Sequence, residues 1–406
     1  MMTNSVPNDK KNAFSVCQEG RFADVVAFIA ASEESELGAV NGEFVACIVQ
    51  ALVESGQVEN AARYYLKYLG SGLPLPMPWT VSTALRQKKS ADLDVVCWKE
   101  WSERFPDRPQ GWIEFARSLE RAGRQAEVPD LLRKASSRFP KNANIYAQLG
   151  MSCLREGERE ESQAAFKIAL SIDPLQPAWV KRAVSALHRE VVELHGVVLS
   201  VPVRVVSPLV LSHLVKGNYE GRELSLLQQC LKSDDRILEL GAGLGFLACF
   251  VGRAHPDIPY IAIEANPQLI PVIRENFKLN NCGIQLLHGA AAVTNDTILF
   301  HVADDFWASS IENIAHLHTD MEVPGIDIQP IMEDLKPTLL IIDIEGGELN
   351  LVPQLNLTCV DRLLIELHPD IYGNEGSNRI IKSLLDQKFY LDVQNSGTQV
   401  FLFVRS

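Results

Sequence analysis

The sequence lacks an excess of positive charge. It holds 38 lysine and arginine residues against 51 aspartate and glutamate residues, which gives a formal net charge of -13. A chain with this balance repels a phosphate backbone instead of releasing its counterions. The composition therefore argues against a nucleic-acid substrate.

The sequence also lacks the spacings of common cysteine motifs and any membrane-spanning run. Its eight cysteines include no CxxC pair, so we expect reduced, buried thiols of the kind found in cytosolic proteins. The amino-terminal segment has no apolar core of a secretory signal, and no apolar run approaches the roughly 20 residues that cross a bilayer. These absences predict a cytoplasmic protein.

The length and patterning of the chain predict two domains. The chain has 406 residues, of which 47% are hydrophobic, so it is too long for one compact core and apolar enough for two. Helical periodicity fills the first half, and short apolar strands alternate with helices after about residue 234. We predict a helical repeat domain over residues 1–195, a connection over 196–215 and a doubly wound α/β domain over 216–406.

The first half repeats with a period of 34 residues. Pro106, Pro140 and Pro174 stand at this spacing, and each closes a helical stretch. Small residues such as Ala116 and Gly150 lie among large ones three or four positions apart, as in helix hairpins. The pattern resembles the tetratricopeptide repeat (TPR).

The TPR resemblance is best over residues 144–174 and looser upstream. It implies an α-helical solenoid whose concave surface binds a peptide or protein partner. The alternatives are that the hairpins only pack against the second domain or hold a homodimer together. Residues 178–196 are amphipathic, and we expect them to cap the array.

The second half opens with a strand and a glycine-rich turn, ELGAGLG, which contains Glu239, Gly241, Gly243 and Gly245. Glycines here allow a tight turn and close backbone approach to a ligand. A dinucleotide fingerprint requires glycine at the sixth position, where this chain has Phe246. The turn instead resembles that of S-adenosylmethionine enzymes, which implies that the glycines line the methionine part and that Glu239 lies near its amino group.

The next two strands supply the rest of the predicted cofactor site. Glu264 ends the second strand about 20 residues after the glycines, where a carboxylate can accept both ribose hydroxyls. The alternative is that Glu264 caps the helix that begins near Pro267. Small residues at the end of the third strand, including Ala290, leave room for an adenine ring.

Polar side chains follow two later strands. Asp343 and Glu345 alternate after one, and Glu366 and His368 after the other, at the edge where ligands of parallel sheets bind. His368 is the predicted base for a hydroxyl acceptor because its reference pKa is about 6.5, with the three carboxylates as positioners or alternative bases. The alternative, weighed equally, is that His368 is a helix-capping or hydrogen-bonded wall residue. We predict no metal, because the spacing fits no named motif, although such a cluster could hold a divalent cation.

Seven segments occur in the order of FkbM-type methyltransferases, and the resemblance covers residues 205–406. They are NYEGREL, ELGAGLG, IEANP, RENFKLNN, WASSI, IDIEGGE and IELHP. The resemblance implies a Rossmann-like sheet with an antiparallel final hairpin and transfer of a methyl group from S-adenosylmethionine to a hydroxyl of a small molecule, sugar or glycan. Tyr219, Trp307 and Ser310 are the candidate acceptor-binding residues; the last two could equally belong to an edge strand and its turn.

Three positions depart from the FkbM pattern. Glu239 and Leu244 replace an aspartate and an asparagine of the glycine turn, and Ile341 replaces a lysine just before IDIEGGE. Loss of the lysine puts a polar contact near the acceptor in doubt. The competing hypothesis is therefore a non-catalytic adaptor that binds S-adenosylmethionine without turning it over.

Overall fold

The computed structural model describes residues 10–31, 42–69, 77–303, 318–397 and 399–405. The chain divides into two compact units. Unit 1 comprises Met1–Glu156 and Ala164–Leu175, and unit 2 comprises Gly157–Gln163 and Gln176–Ser406. No helix within the described ranges is both long and apolar enough to cross a membrane.

Residues up to 172 form helices in pairs. Their bounds are α1 Lys10–Gln18, α2 Phe22–Ala31, α3 Gly42–Glu54, α4 Val58–Lys67, α5 Met77–Gln87, α6 Ala91–Arg104, α7 Pro109–Arg121, α8 Val128–Arg138, α9 Ala143–Arg155 and α10 Arg159–Ile172, with a short 3-10 turn at Gln125–Glu127. Gly123 and Gly157, at equivalent positions of the two aligned repeats, have φ values of +73° and +77°. This left-handed conformation ends a helix most easily at glycine, which explains the repeated turns.

The small residues of the repeat permit close helix packing. A Cβ atom at Gly150 would lie 2.8 Å from the ring of Phe166, closer than real side chains approach. A Cβ atom at Gly111 would likewise lie too close to the ring of Trp101. The expected helical repeat fold of the first half is therefore confirmed.

One cysteine expectation is wrong. Cys17 and Cys47 form a disulfide between α1 and α3, with their Cα atoms 6.2 Å apart, whereas reduced thiols were predicted throughout. The two cysteines are 30 positions apart in sequence, so no local spacing indicated the pair. The other six cysteines form no disulfide, and four of them are buried.

Unit 2 contains the strands. After α11 Ala178–Arg189 its elements are β1 Val191–Leu194, β2 Val197–Ser200, α12 Pro208–Lys216, α13 Gly221–Cys230, β3 Ile237–Leu240, α14 Phe246–Ala254, β4 Tyr260–Glu264, α15 Ile270–Leu279, β5 Gln285–His288, β6 Ala290–Ala292, β7 Thr297–Ala303, β8 His318–Asp327, α16 Ile328–Leu335, β9 Leu339–Ile342, α17 Glu348–Leu351, β10 Arg362–Glu366, α18 Pro369–Asp386, β11 Phe389–Leu391 and β12 Val400–Arg405. A 3-10 turn, Val352–Gln354, follows α17.

The beginning of unit 2 differs from the predicted boundary. Helix α11, expected to cap the repeats, lies in unit 2, where the Arg182 guanidinium donates to the carbonyl oxygen of Val215. Residues 196–215, expected to be a connection, contribute β2 of an antiparallel hairpin and most of α12. Amphipathic periodicity identified the helix, but it does not specify which domain the apolar face packs against.

The main sheet has the order β11-β12-β10-β9-β3-β4-β5. Strands β10, β9, β3, β4 and β5 run parallel, while β12 is antiparallel to both β10 and β11. The central strands are buried on both faces, as their continuous apolar runs predicted. The expected α/β architecture with an antiparallel final hairpin is confirmed.

A buried ion pair lies at the amino-terminal edge of this sheet. Arg362 at the start of β10 contacts Asp235, with Nη2 2.5 Å from Oδ1, and both side chains are almost fully buried. The Asp235 carboxylate also accepts from the backbone N–H of Lys232 and the hydroxyl of Thr338. Groups of the protein itself therefore balance the charge of the Asp235 carboxylate and supply its hydrogen bonds.

A second, three-stranded sheet has the order β6-β8-β7. Strand β8 is parallel to β6 and antiparallel to β7. Trp307 and Ser310, two of the candidate acceptor-binding residues, lie between β7 and β8 and outside the described residues.

Candidate functional site

One cavity of about 920 Å³ opens at the carboxyl-terminal edge of the main sheet. Residues at or just beyond the ends of four parallel strands line it: Gly241 after β3, Glu264 on β4, Asp343 after β9 and Glu366 on β10. Its volume suits a nucleotide-sized ligand with an acceptor. The predicted residues that line it are Tyr219, Gly241, Gly243, Glu264, Ala290, Asp343, Glu345, Glu366 and His368.

The backbone conformation of the turn and the close approach of neighbouring backbone both require glycine. Gly241 has φ +85°, and a Cβ atom there would lie 1.6 Å from the carbonyl oxygen of Asp343. Gly243 has φ +53°, and its backbone N–H donates to Oε2 of Glu264 over 3.0 Å. No other residue type at position 241 would keep β3 and β9 at this separation.

The Glu264 carboxylate faces the glycine turn. Its Oε1 accepts from the backbone N–H of Asn266 over 2.7 Å, in a local turn. The helix that the alternative interpretation expected Glu264 to cap begins only at Ile270, and Leu269 occupies its N-cap position. Burial raises the pKa of Glu264 to about 7, although backbone N–H groups of Asn266 and Gly243 act in the opposite direction. The carboxylate is therefore positioned at the strand tip and only partly ionised near neutral pH.

Glu239 and Gly245 do not line the cavity. Glu239 is 2% exposed, and its Oε2 has no hydrogen-bond partner among the described residues. Burial raises the pKa of Glu239 to about 8. A Cβ atom at Gly245 would lie 3.0 Å from Ile273 and Phe277, so this glycine permits packing of the turn against α15.

The segment before α13 lies against the glycine turn. A Cβ atom at Gly243 would meet the Tyr219 hydroxyl at 3.0 Å and the Glu220 carboxylate at 3.3 Å. Tyr219 is buried, and its hydroxyl accepts from the backbone N–H of Leu244. Tyr219, predicted to bind the acceptor, thus lies beside the predicted cofactor turn, and Glu220 is a lining residue that the sequence did not single out.

Small and aromatic side chains near the end of β5 also line the cavity. Gly289 donates its backbone N–H to the Glu264 carbonyl oxygen, which sets Ala290 beside the strand tip. Ala290 is buried and lines the cavity together with Phe300 of β7. Phe300 was not predicted, because its place depends on the pairing of β7 with β8.

His368 is surrounded by carboxylates. Its Nδ1 lies 2.8 Å from Oε1 of Glu348, and its Nε2 lies 3.1 Å from Oε2 of Glu345 and 3.6 Å from Oδ1 of Asp343. Glu348 has no exposed surface and also accepts from the hydroxyl of Tyr372. These bonds fix the ring so that Nε2 points toward Glu345 and Asp343.

The pKa values of this group are shifted by burial and mutual charge. Burial lowers the pKa of His368, but the hydrogen bond with Glu348 and the charges of Glu345 and Asp343 outweigh it and raise the pKa to about 10. Burial raises the pKa of Asp343 to about 6 and that of Glu366 to about 7. Burial thus favours the protonated forms of these carboxyls, while their charges favour the protonated form of His368.

Sequence reasoning understated two members of this group. Glu348, the last residue of the segment IDIEGGE, was not among the candidate site residues, and neither was Tyr372. The spacing offered one signal, because Tyr372 lies four residues after His368 across the start of a helix. The contact between Glu348 and His368 joins segments 20 positions apart and needed the fold.

Residues 241–391 match the family model described as the methyltransferase FkbM domain. The chain therefore contains an FkbM methyltransferase domain, as its motifs predicted. The match begins at the glycine turn and ends at β11, so it includes Glu264 and His368 and leaves Tyr219 outside.

Two solved structures resemble part of the chain. YrrB, described as a TPR protein with an unusual peptide-binding site, shares 16% identity and a TM-score of 0.29, over 41% of this chain and 85% of YrrB. MamA from Desulfovibrio magneticus RS-1 shares 13% identity and a TM-score of 0.29, over 42% of this chain and 99% of that one. These TM-scores are too low to support an argument. No curated protein sequence matches the chain.

Proposed function

We propose that the protein transfers a methyl group from S-adenosylmethionine to a hydroxyl oxygen of a small molecule, sugar or glycan. One observation carries the proposal: the glycine turn with Glu264 and the His368 cluster face the same cavity. The FkbM domain match supports methyl transfer in general. We propose a hydroxyl as the methyl acceptor because a group that can take its proton lies beside the proposed position of the methyl donor.

The residues fit the cofactor. Gly241 and Gly243 leave room where any Cβ atom would fill the turn, and Glu264 presents a carboxylate at the tip of β4. In this proposal Glu264 accepts the ribose hydroxyls, Ala290 borders the adenine ring, and Glu239 lies buried behind the turn. S-adenosylmethionine supplies a carbon activated by its sulfonium for in-line displacement.

The acceptor hydroxyl must lose a proton, and His368 with Glu345 and Asp343 is the group placed to receive it. Glu348 holds the ring in position from the opposite side. Because the pKa of His368 is raised to about 10, its ring already carries a proton near neutral pH and orients the two carboxylates. One of these carboxylates is the proposed final proton acceptor.

Calorimetry and mass spectrometry test the proposal in two steps. The full-length protein should bind S-adenosylmethionine, and Gly241→Ala should abolish binding because its Cβ atom would overlap the Asp343 carbonyl oxygen. Incubation with a panel of hydroxylated acceptors should then give products heavier by one methyl group. Binding without transfer to any acceptor would favour the adaptor hypothesis, and absence of binding would contradict both.

For the helical unit we propose recognition of a protein or peptide partner, with a homodimer as the alternative. Support comes from the 34-residue repeat and from the glycine-ended hairpins of α7 to α10. Light scattering of the full chain at micromolar concentration distinguishes these roles, because a monomer contradicts the dimer.

A further inference from the structure

We propose that Glu220 recognises the α-ammonium group of S-adenosylmethionine and so selects ligands that carry this group. The inference rests on the proposed function, because it assigns one contact within the cofactor site. Glu220 precedes residues 241–391, which match the FkbM family model, so the match does not include it. The proposal moves this contact away from Glu239, where the resemblance of the glycine turn implied it.

The Glu239 carboxylate is not accessible from the cavity. Glu239 is 2% exposed and does not line the cavity. Its strand, β3, is central in the main sheet and is buried along its whole length. A direct hydrogen bond from a ligand ammonium needs an acceptor oxygen at the cavity surface. Another residue therefore has to supply the direct contact.

Glu220 places a carboxylate beside the glycine turn. It lines the cavity, and a Cβ atom at Gly243 would lie 3.3 Å from its Oε1. The glycine at position 243 thus leaves a space that Glu220 borders. In the proposed cofactor site the methionine part lies along these glycines, so the Glu220 carboxylate borders the space that this part would fill.

A buried tyrosine holds Glu220 in this place. The hydroxyl of Tyr219 donates to the Glu220 carboxylate and accepts from the backbone N–H of Leu244 over 3.4 Å. Tyr219 is buried, so this hydroxyl joins the carboxylate to the glycine turn through a fixed side chain. A carboxylate that is already held in position loses little rotamer freedom when it binds a ligand.

The backbone at Glu220 indicates that its side chain does more than cap a helix. Glu220 precedes α13 and has φ +44°, a left-handed conformation that glycine adopts with less strain. Its side chain makes no capping hydrogen bond to this helix. Residues strained in this way cluster at ligand-binding and active sites. The local helix therefore does not explain a glutamate at this position.

The surroundings of Glu220 favour a positively charged ligand group. Burial raises the pKa of Glu220 well above its usual range, against the effect of its hydrogen bond with Tyr219, and the charges of Glu239 and Glu223 raise it further. A ligand ammonium would reverse this shift, because a nearby positive charge favours the ionised carboxylate. The hydrogen bond between the two charged groups would be stronger than one between neutral groups.

Calorimetry of the full-length protein with two ligands tests the proposal. One ligand is S-adenosylhomocysteine, which carries the ammonium group, and the other is the same molecule with hydrogen in place of the α-amino group. We expect the unaltered protein to bind the first about tenfold to 100-fold more tightly, because the second cannot form the charged hydrogen bond. In Glu220→Gln this ratio should fall to about threefold or less, without a loss of affinity for the second ligand, because glutamine carries no charge.

The matched control is Glu223→Gln, which removes another lining carboxylate of the same segment. It should keep the full ratio. An equal fall of the ratio in Glu223→Gln overturns the proposal, because recognition would then follow general charge. Glu239→Gln tests the rival assignment, and a fall of the ratio in this variant alone also overturns the proposal.

The outcomes separate this inference from the proposed function. Binding of S-adenosylhomocysteine with an unchanged ratio in Glu220→Gln overturns the inference and leaves the proposed function intact. Absence of binding of either ligand to the unaltered protein contradicts both. If Glu220→Gln does not fold, Glu220→Gly decides the matter. Glycine adopts the left-handed conformation readily, so thermal melts should show a folded protein, and the ratio should fall as in Glu220→Gln.

Discussion

The carboxylates at the two edges of the main sheet differ in how their charge is balanced. At the amino-terminal edge, Asp235 is paired with Arg362, so the charge is balanced within the chain. At the carboxyl-terminal edge, Asp343, Glu345 and Glu366 share His368 as their nearest cationic partner. A carboxylate that is paired within the core stabilises the fold, whereas carboxylates that share one partner beside a cavity can also interact with a ligand.

The largest expected effect is a loss of methyl transfer, without a loss of cofactor binding, at the carboxyl-terminal edge. His368→Gln should lower methyl transfer to the best acceptor of the panel by about 10²- to 10⁴-fold, because the proton-accepting group loses its centre. Its affinity for S-adenosylmethionine should stay unchanged. The control is His188→Gln, an exposed histidine on α11. A normal rate in His368→Gln would remove this residue from the mechanism.

The opposite result is expected at the amino-terminal edge. Asp235→Ala leaves the Arg362 guanidinium buried without its carboxylate, and should lower the free energy of unfolding by about 3–5 kcal/mol. Chemical denaturation measures the loss. Asp386→Ala breaks an exposed pair with Lys382 and should cost less than about 1 kcal/mol. Equal losses in the two variants would mean that burial does not distinguish these pairs.

A smaller effect tests Glu264. Glu264→Gln should weaken binding of S-adenosylmethionine by about tenfold to 100-fold, because a charged acceptor for the ribose hydroxyls is lost. Since burial raises the pKa of Glu264 to about 7, its ionised fraction grows as the pH rises through that value. Affinity of the unaltered protein should therefore increase between pH 6 and 8, as followed by calorimetry. A pH dependence as steep in Glu264→Gln as in the unaltered protein would contradict this assignment.

The smallest effect concerns Glu239, whose pKa burial raises to about 8 from an unfolded value near 4.5. The native state binds this proton more tightly, so its contribution to stability is complete below pH 4.5 and is lost as the pH rises toward 8. Glu239→Gln should flatten the decline across this range, because the titrating carboxyl is removed. Thermal melts at several pH values measure it, with exposed Glu322→Gln as the control. An unchanged slope in Glu239→Gln would show that Glu239 is not the titrating group.

Much of the candidate site could be predicted because apolar strands, and the glycines or acidic residues that follow them, can be recognised in a sequence. Glycines followed by a helix, and an acid about 20 residues later, located Gly241, Gly243 and Glu264 at one edge. The separate roles of Gly241 and Gly245 could not be predicted. Gly241 allows the approach of Asp343 and Gly245 the approach of Phe277, and both contacts depend on long-range packing.

The sequence by itself determined the helical repeats, the α/β order of the second half, the FkbM domain and the strand-end positions of the acidic residues. These follow from periodicity and local turn chemistry, which act over a few residues. Only the tertiary structure decided that Glu348 holds His368, that Arg362 balances Asp235, and that residues 178–215 pack with unit 2. Those outcomes join segments far apart in the chain, and no local pattern encodes which buried charge receives a partner.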